Sequence, residues 1–134
     1  MTTQTATSNK AIVSSMYDAF KRGDIPYILN QIDDNCAWNV MGAPQIPYGG
    51  TYQGKGASRF FQVMTETIEV TLFEAQEFIE NEKGDVVAFG IYSGKGKKTG
   101  KTFDSKWAMS WRFKNGKVVY LQNYYDTAHV AAVL

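Results

Sequence analysis

The sequence predicts an α+β fold in which helices cover one face of a curved sheet. Two observations carry that reading. Apolar residues recur at helical spacing as far as residue 66, and from there the pattern turns to alternation with a period of two. The later segments are joined by short turns, so they follow one another as an antiparallel meander. Helices first and strands afterwards is the order of an α+β chain, not of alternating α/β units. The length, 134 residues with 44% hydrophobic, fits one domain with a core of its own.

Residues 1–8 are rich in Thr and Ser and read as a disordered tail ahead of a single domain at 9–134. Ser8 or Asn9 can cap a first helix, whose apolar side is Ile12, Val13, Met16, Tyr17 and Phe20. Gly23 ends it. Asp24 caps a second helix with Pro26 in its first turn and Ile28, Leu29 and Ile32 on its buried side. Cys36 to Met41 reads as a short strand. A Pro- and Gly-rich loop fills 42–50, overlapping a short extended piece from Tyr48 to Gln53. Ala57, Phe60, Phe61 and Met64 define a third helix over 57–66. Strands follow at 67–80, 85–94, 101–114 and 117–126, the last two joined by Asn115-Gly116, a strong hairpin signal. Thr127 to Leu134 reads as a short helix capped by Asp126 or Thr127.

Composition narrows function by exclusion. A net charge of +1 with 20% charged residues provides no field for nucleic acid or for an anionic membrane. One Cys and one His give neither a disulfide framework nor a Cys/His zinc cluster, so no metal and no cofactor is expected. The N-terminus lacks a basic start and an apolar run, and no stretch approaches the ~18 apolar residues of a membrane span. A cytoplasmic location is the expectation. Cys36 then reads as a reduced, buried thiol, with Asp33 and Asp34 beside it raising its pKa.

The sharpest local signal is at 103–113. Phe103, Ser105, Trp107, Met109, Trp111 and Phe113 alternate with Thr102, Asp104, Lys106, Ala108, Ser110 and Arg112. One face is nearly all rings and sulfur, so it either fills a core or walls a cavity. On the last strand Val119, Leu121, Asn123 and Tyr125 share a face. An Asn there, if buried, needs a partner such as Ser105, a backbone group, water or a ligand. Acidic residues crowd 66–82, and Lys95, Lys97, Lys98 and Lys101 crowd the following turn, which reads as weak cross-strand pairing.

The order and spacing of several segments carry a family likeness. They are Tyr17-Asp-Ala-Phe-Lys-Arg-Gly-Asp24, Asp33-Asp34 before a Trp-bearing strand, Pro47-Tyr-Gly-Gly-Thr-Tyr-Gln-Gly54 ahead of Phe60-Phe61, Thr99-Gly100-Lys101, Trp111-Arg-Phe113, Asn115-Gly-Lys-Val118 and Tyr124-Tyr-Asp-Thr127. The chain resembles the SnoaL-like branch of the nuclear-transport-factor-2-like superfamily. That resemblance implies a cone: a bent mixed sheet wrapped around the N-terminal helices, with a cavity between them. It also implies homodimers paired through the outer sheet face. Activities within the family include ketosteroid isomerisation, polyketide ring closure and epoxide hydrolysis.

The family's catalytic positions fall on residues that lack the chemistry. The isomerase Tyr, base and acid fall on Met16, Val40 and Met109, none of which exchanges a proton. Tyr17 is one residue off and is expected to point elsewhere. The epoxide-hydrolase Asp falls on Asn123, and Gly90 to Tyr92 supply neither its Arg nor its second Asp. No catalytic residue is assigned. Met16, Phe20, Trp38, Val40 and Phe60 are the expected pocket residues from the first two-thirds of the chain. Trp107, Met109, Leu121, Asn123 and Tyr125 are those from the last strands. Asp126 and His129 remain as an alternative acid or base, each with a blander role as a cap or surface residue. Three functions stay open: a binder of small hydrophobic or aromatic molecules, a cyclase, isomerase or hydrolase with unfamiliar residues, and a dimeric interaction module.

Overall fold

Ser8 opens the described part of the chain, which in this computed structural model is residues 8–134. The expected tail, apart from Ser8, lies outside the described residues. The Ser8 hydroxyl accepts from Ala11 N at 3.1 Å and caps helix α1 (Asn9–Lys21). Gly23, at φ 77°, ends that helix. Asp24 accepts from Tyr27 N at 3.1 Å to start α2 (Ile25–Asn30).

Strand β1 (Ile32–Val40) begins four residues before the expected strand. Ile32 belongs to it and not to the helix, because Ile32 pairs with Val118 and holds the chain extended there. Strand β2 (Gly50–Gln53), a 3-10 turn at Gly54–Gly56 and helix α3 (Ala57–Thr67) follow. The meander is β3 (Ile68–Glu80), β4 (Val86–Gly96), β5 (Thr102–Lys114) and β6 (Lys117–Tyr125), closed by α4 (Thr127–Ala131).

The six strands form one curved, open sheet in the order β2-β1-β6-β5-β4-β3. Only the β1–β6 contact is parallel, so the sheet is mixed. The α+β fold is therefore the one expected. Two register shifts interrupt β3 against β4, between Val70 and Leu72 and between Ala75 and Glu77. An extra residue in one strand reverses the in–out parity beyond it. Phe73 and Phe78, five residues apart, are consequently both half-buried against the core, while Leu72 and Ile79 are exposed.

On β5 the alternation holds. Phe103, Ser105, Trp107 and Trp111 are buried, and Thr102, Asp104, Lys106 and Arg112 are exposed. Val13, Met16, Tyr17 and Ala19 of α1, Ile28 of α2 and Phe60, Phe61 and Met64 of α3 pack on that inner face. Among the described residues, the only ion pair between these strands is weak and exposed: Lys95 to Glu69 at 4.0 Å. No helix among them is long and apolar enough to cross a membrane.

Candidate functional site

Most of the rings on the inner face are spent on each other. Tyr17, Phe73 and Trp107 pack together, with Phe73 stacked on Trp107 at 5.0 Å and 10°. Trp38 meets Phe60, Phe61 and Trp111 at 5.7–6.0 Å. What the rings leave open between helices and sheet is a cavity of about 70 Å³. Core and cavity wall are thus the same residues, and the two readings of the ring-rich face merge.

One glycine sets the geometry of the wall. Gly90 stands on β4 opposite Trp107, and a Cβ there would collide with the Trp107 indole and the Glu74 carbonyl. Its absence lets the indole lie flat over β4, where Nε1 donates to the Ile91 carbonyl at 3.1 Å. Tyr17 lies across this floor. Its hydroxyl accepts from Trp111 Nε1 at 2.9 Å and donates to Met109 Sδ at 3.3 Å. Burial pushes its pKa far above the ordinary tyrosine value, against the smaller opposing effect of the Trp111 hydrogen bond.

Tyr48, Tyr92 and Tyr125 bring their hydroxyls close enough to perturb one another's ionisation. Burial is the main cause of the raised pKa of all three, and the charge of a neighbouring hydroxyl adds to it. The nearness of Tyr125 to Tyr48 and of Tyr48 to Tyr92 offsets part of the rise in Tyr48 and Tyr92. Tyr125 donates to the Met41 carbonyl at 2.7 Å. The Tyr48 hydroxyl reaches no partner in hydrogen-bonding geometry among the described residues. Trp38 Nε1 and Asn123 Oδ1 are likewise buried without a partner there. Each such atom costs on the order of 1–3 kcal/mol if nothing satisfies it. All three residues line the cavity. Ser105 is not the partner of Asn123, because its hydroxyl donates to the Lys106 carbonyl at 2.7 Å and accepts from Asp126 N at 3.0 Å.

Nine of the ten expected pocket residues border this cavity: Met16, Phe20, Trp38 and Phe60 from the first part of the chain, Trp107, Met109, Leu121, Asn123 and Tyr125 from the last strands. Val40 is the exception. It is buried on the same face of β1 as Trp38, but its short side chain stays within the core and does not reach the cavity. Asp126 and His129 are exposed and are not among the residues that line it. The Asp126 carboxylate accepts from His129 N at 3.1 Å and caps α4, which is the blander of its two readings. Tyr17 does not point elsewhere. It lines the cavity beside Met16, because a helix held inside a cone buries a wider arc than one lying on a surface.

The wall also takes Tyr48, Phe61, Met64, Phe73 and Tyr92, which the sequence pattern does not assign to a site. Phe61 and Met64 carry a helical signal that could have placed them. Phe73 is hidden by the β3 register shifts, and Tyr48 by a loop without periodicity. Among the described residues, the cavity wall contains no Asp, Glu, His, Lys or Arg. Among the described residues no three His, Cys, Asp or Glu side chains come together as metal ligands would.

The sequence profile of the SnoaL-like domain matches residues 13–121, most of the chain. The chain belongs to the SnoaL-like family. This SnoaL-like chain is similar to an NTF2-like protein of Burkholderia thailandensis, with 28% identity, TM-score 0.86, and coverage of 96% of this chain and 98% of that one. An NTF2-like protein of unknown function from Burkholderia pseudomallei is similar to the same degree, at 27% identity, TM-score 0.86 and the same coverage. TerC, solved as a co-crystal with polyporic acid, shares the fold at 23% identity and TM-score 0.82, covering 93% of this chain and 96% of TerC. No curated protein matches the SnoaL-like sequence significantly.

Proposed function

We propose that this SnoaL-like chain binds a small, apolar or aromatic molecule in the cavity between its helices and its sheet. The observation that carries the proposal is the make-up of the wall: rings, thioethers, aliphatic groups and the Asn123 amide, with no side chain among the described residues that is charged at neutral pH. Ligand sites have this character, mostly apolar with a few placed polar groups. Proton-transfer chemistry of the family type needs an acid or base within reach, and here those positions carry Met16, Val40, Met109 and Asn123. That favours binding over turnover. Polyporic acid was co-crystallised with TerC. The likeness to TerC is one of fold, so the reading rests on this chain's own wall.

The test uses the three tryptophans, Trp38, Trp107 and Trp111, all of which border the cavity. Titration with neutral aromatic compounds should change their fluorescence saturably. It should also raise stability to unfolding, by about 2.7 kcal/mol when free ligand is about a hundred times Kd. No saturable change with any of them, together with a crystal structure in which the rings close the space, rejects the proposal. The chain is further proposed to act as a homodimer through the outer face of the sheet, where Phe89 and Tyr124 stand exposed on either side of Ala108.

A further inference from the structure

The unpartnered atoms at the cavity specify more than an apolar ligand, provided that the cavity is a binding site as proposed. Trp38 is 4% exposed and Tyr48 3%, and the Asn123 amide oxygen is buried too. Buried polar atoms are almost always paired. An indole N–H only donates, an amide oxygen only accepts, and a phenol does either. A hydrocarbon satisfies none of the three. With the Asn123 amide in the orientation seen, a ligand with acceptors alone leaves its oxygen unpaired, and one with donors alone leaves Trp38 unpaired.

Charge narrows the class again. A carboxylate or ammonium entering this cavity would lose its hydration and meet no counter-charge. Size narrows it further. The cavity of about 70 Å³ is smaller than the ~150 Å³ that holds a benzene ring in an engineered protein core. Met16, Met64 and Met109 are unbranched, rotatable parts of its wall, so a ring enters only where they are displaced. We propose that the cavity takes a neutral, single-ring aromatic molecule bearing both a carbonyl and a hydroxyl group. The carbonyl accepts from Trp38 Nε1, the hydroxyl donates to Asn123 Oδ1, and Tyr48 pairs with whichever oxygen it faces.

Calorimetric titration of the full chain at about pH 6, where phenols are neutral, tests this. The probes are the hydroxyacetophenone isomers, acetophenone, ethylbenzene and the hydroxybenzoates. The best hydroxyacetophenone should bind about tenfold more tightly than acetophenone and about a hundredfold more tightly than ethylbenzene. The hydroxybenzoates should not bind. Trp38→Phe keeps a ring and loses the N–H, so it should erase the preference for acetophenone over ethylbenzene. Asn123→Leu should erase the preference for hydroxyacetophenone over acetophenone. The wild-type series decides by itself if either variant fails to fold. Equal binding of ethylbenzene and hydroxyacetophenone overturns the inference and leaves the binding proposal standing. Tightest binding by a hydroxybenzoate overturns the neutral-ligand claim. No binding by any probe, with ordered waters on the three atoms in a crystal structure, overturns both.

Discussion

At Gly90 one absent methyl group decides where Trp107 lies. Adding it forces the Trp107 ring and the Glu74 carbonyl apart, and the carbonyl belongs to the β3 backbone and cannot swing aside. Overpacking usually costs about 1–3 kcal/mol, and a clash with backbone belongs at the upper end. Gly90→Ala should therefore lose about 3 kcal/mol in urea unfolding. It should also disturb the Phe73–Trp107 stack, visible in tryptophan fluorescence. A loss under about 0.5 kcal/mol, the range of a neutral surface change, would show that the strand yields and that Gly90 does not shape the cavity. The sequence offers only a general hint of this role, since an isolated Gly within a strand reads as a bulge or a close approach without naming the neighbour that approaches.

The elements divide into those the sequence reveals and those it hides, and the division has a physical basis. β5 is legible because unbroken pleating keeps Phe103 to Trp111 in one phase. The β5–β6 hairpin is legible because Asn115 and Gly116 both take positive φ, as a tight turn requires. β3 is ambiguous because its register shifts reverse parity between Phe73 and Phe78, and nothing local marks an inserted residue. The early start of β1 and the burial of Tyr48 are likewise set by contacts distant in sequence, to β6 and to α3. The outer face of the sheet leads to a prediction of its own. Phe89, Ala108 and Tyr124 form a row across β4, β5 and β6, with Phe89 38% and Tyr124 50% exposed. Rings presented to solvent on the outer side of a sheet favour pairing with a second copy. Light scattering should give a dimer at about 10 μM, as a standard-size interface allows, and a monomer for Phe89→Glu with Tyr124→Glu. A wild-type monomer at that concentration, or a double variant that stays dimeric, rejects pairing through this face.

Across the whole molecule, the titratable groups kept inside the cone share one electrical property: they are held in their neutral forms. Burial raises the Cys36 thiol from an ordinary value of 9.0 to about 11, with the Asp33 charge adding to the effect. The hydroxyls of Tyr17, Tyr48, Tyr92 and Tyr125 are raised in the same direction, chiefly by burial. A group whose pKa is higher folded than unfolded keeps its proton in the fold after the unfolded chain would release it. Its stabilising contribution is complete below the unfolded pKa and is lost as pH climbs toward the folded one. Stability should therefore hold steady up to about pH 9 and then fall. The Cys36 share is lost between about pH 9 and about pH 11, and the tyrosine share from about pH 10 upward. Urea unfolding at steps from about pH 8 to about pH 11 measures this, with tyrosinate absorbance reporting ionisation. Cys36→Ala should remove the earlier part of the decline and leave the steeper tyrosine part. A stability that stays flat to about pH 11 would mean that these hydroxyls reach water in the folded chain. A cavity with hydrated walls would then have no reason to select a neutral guest.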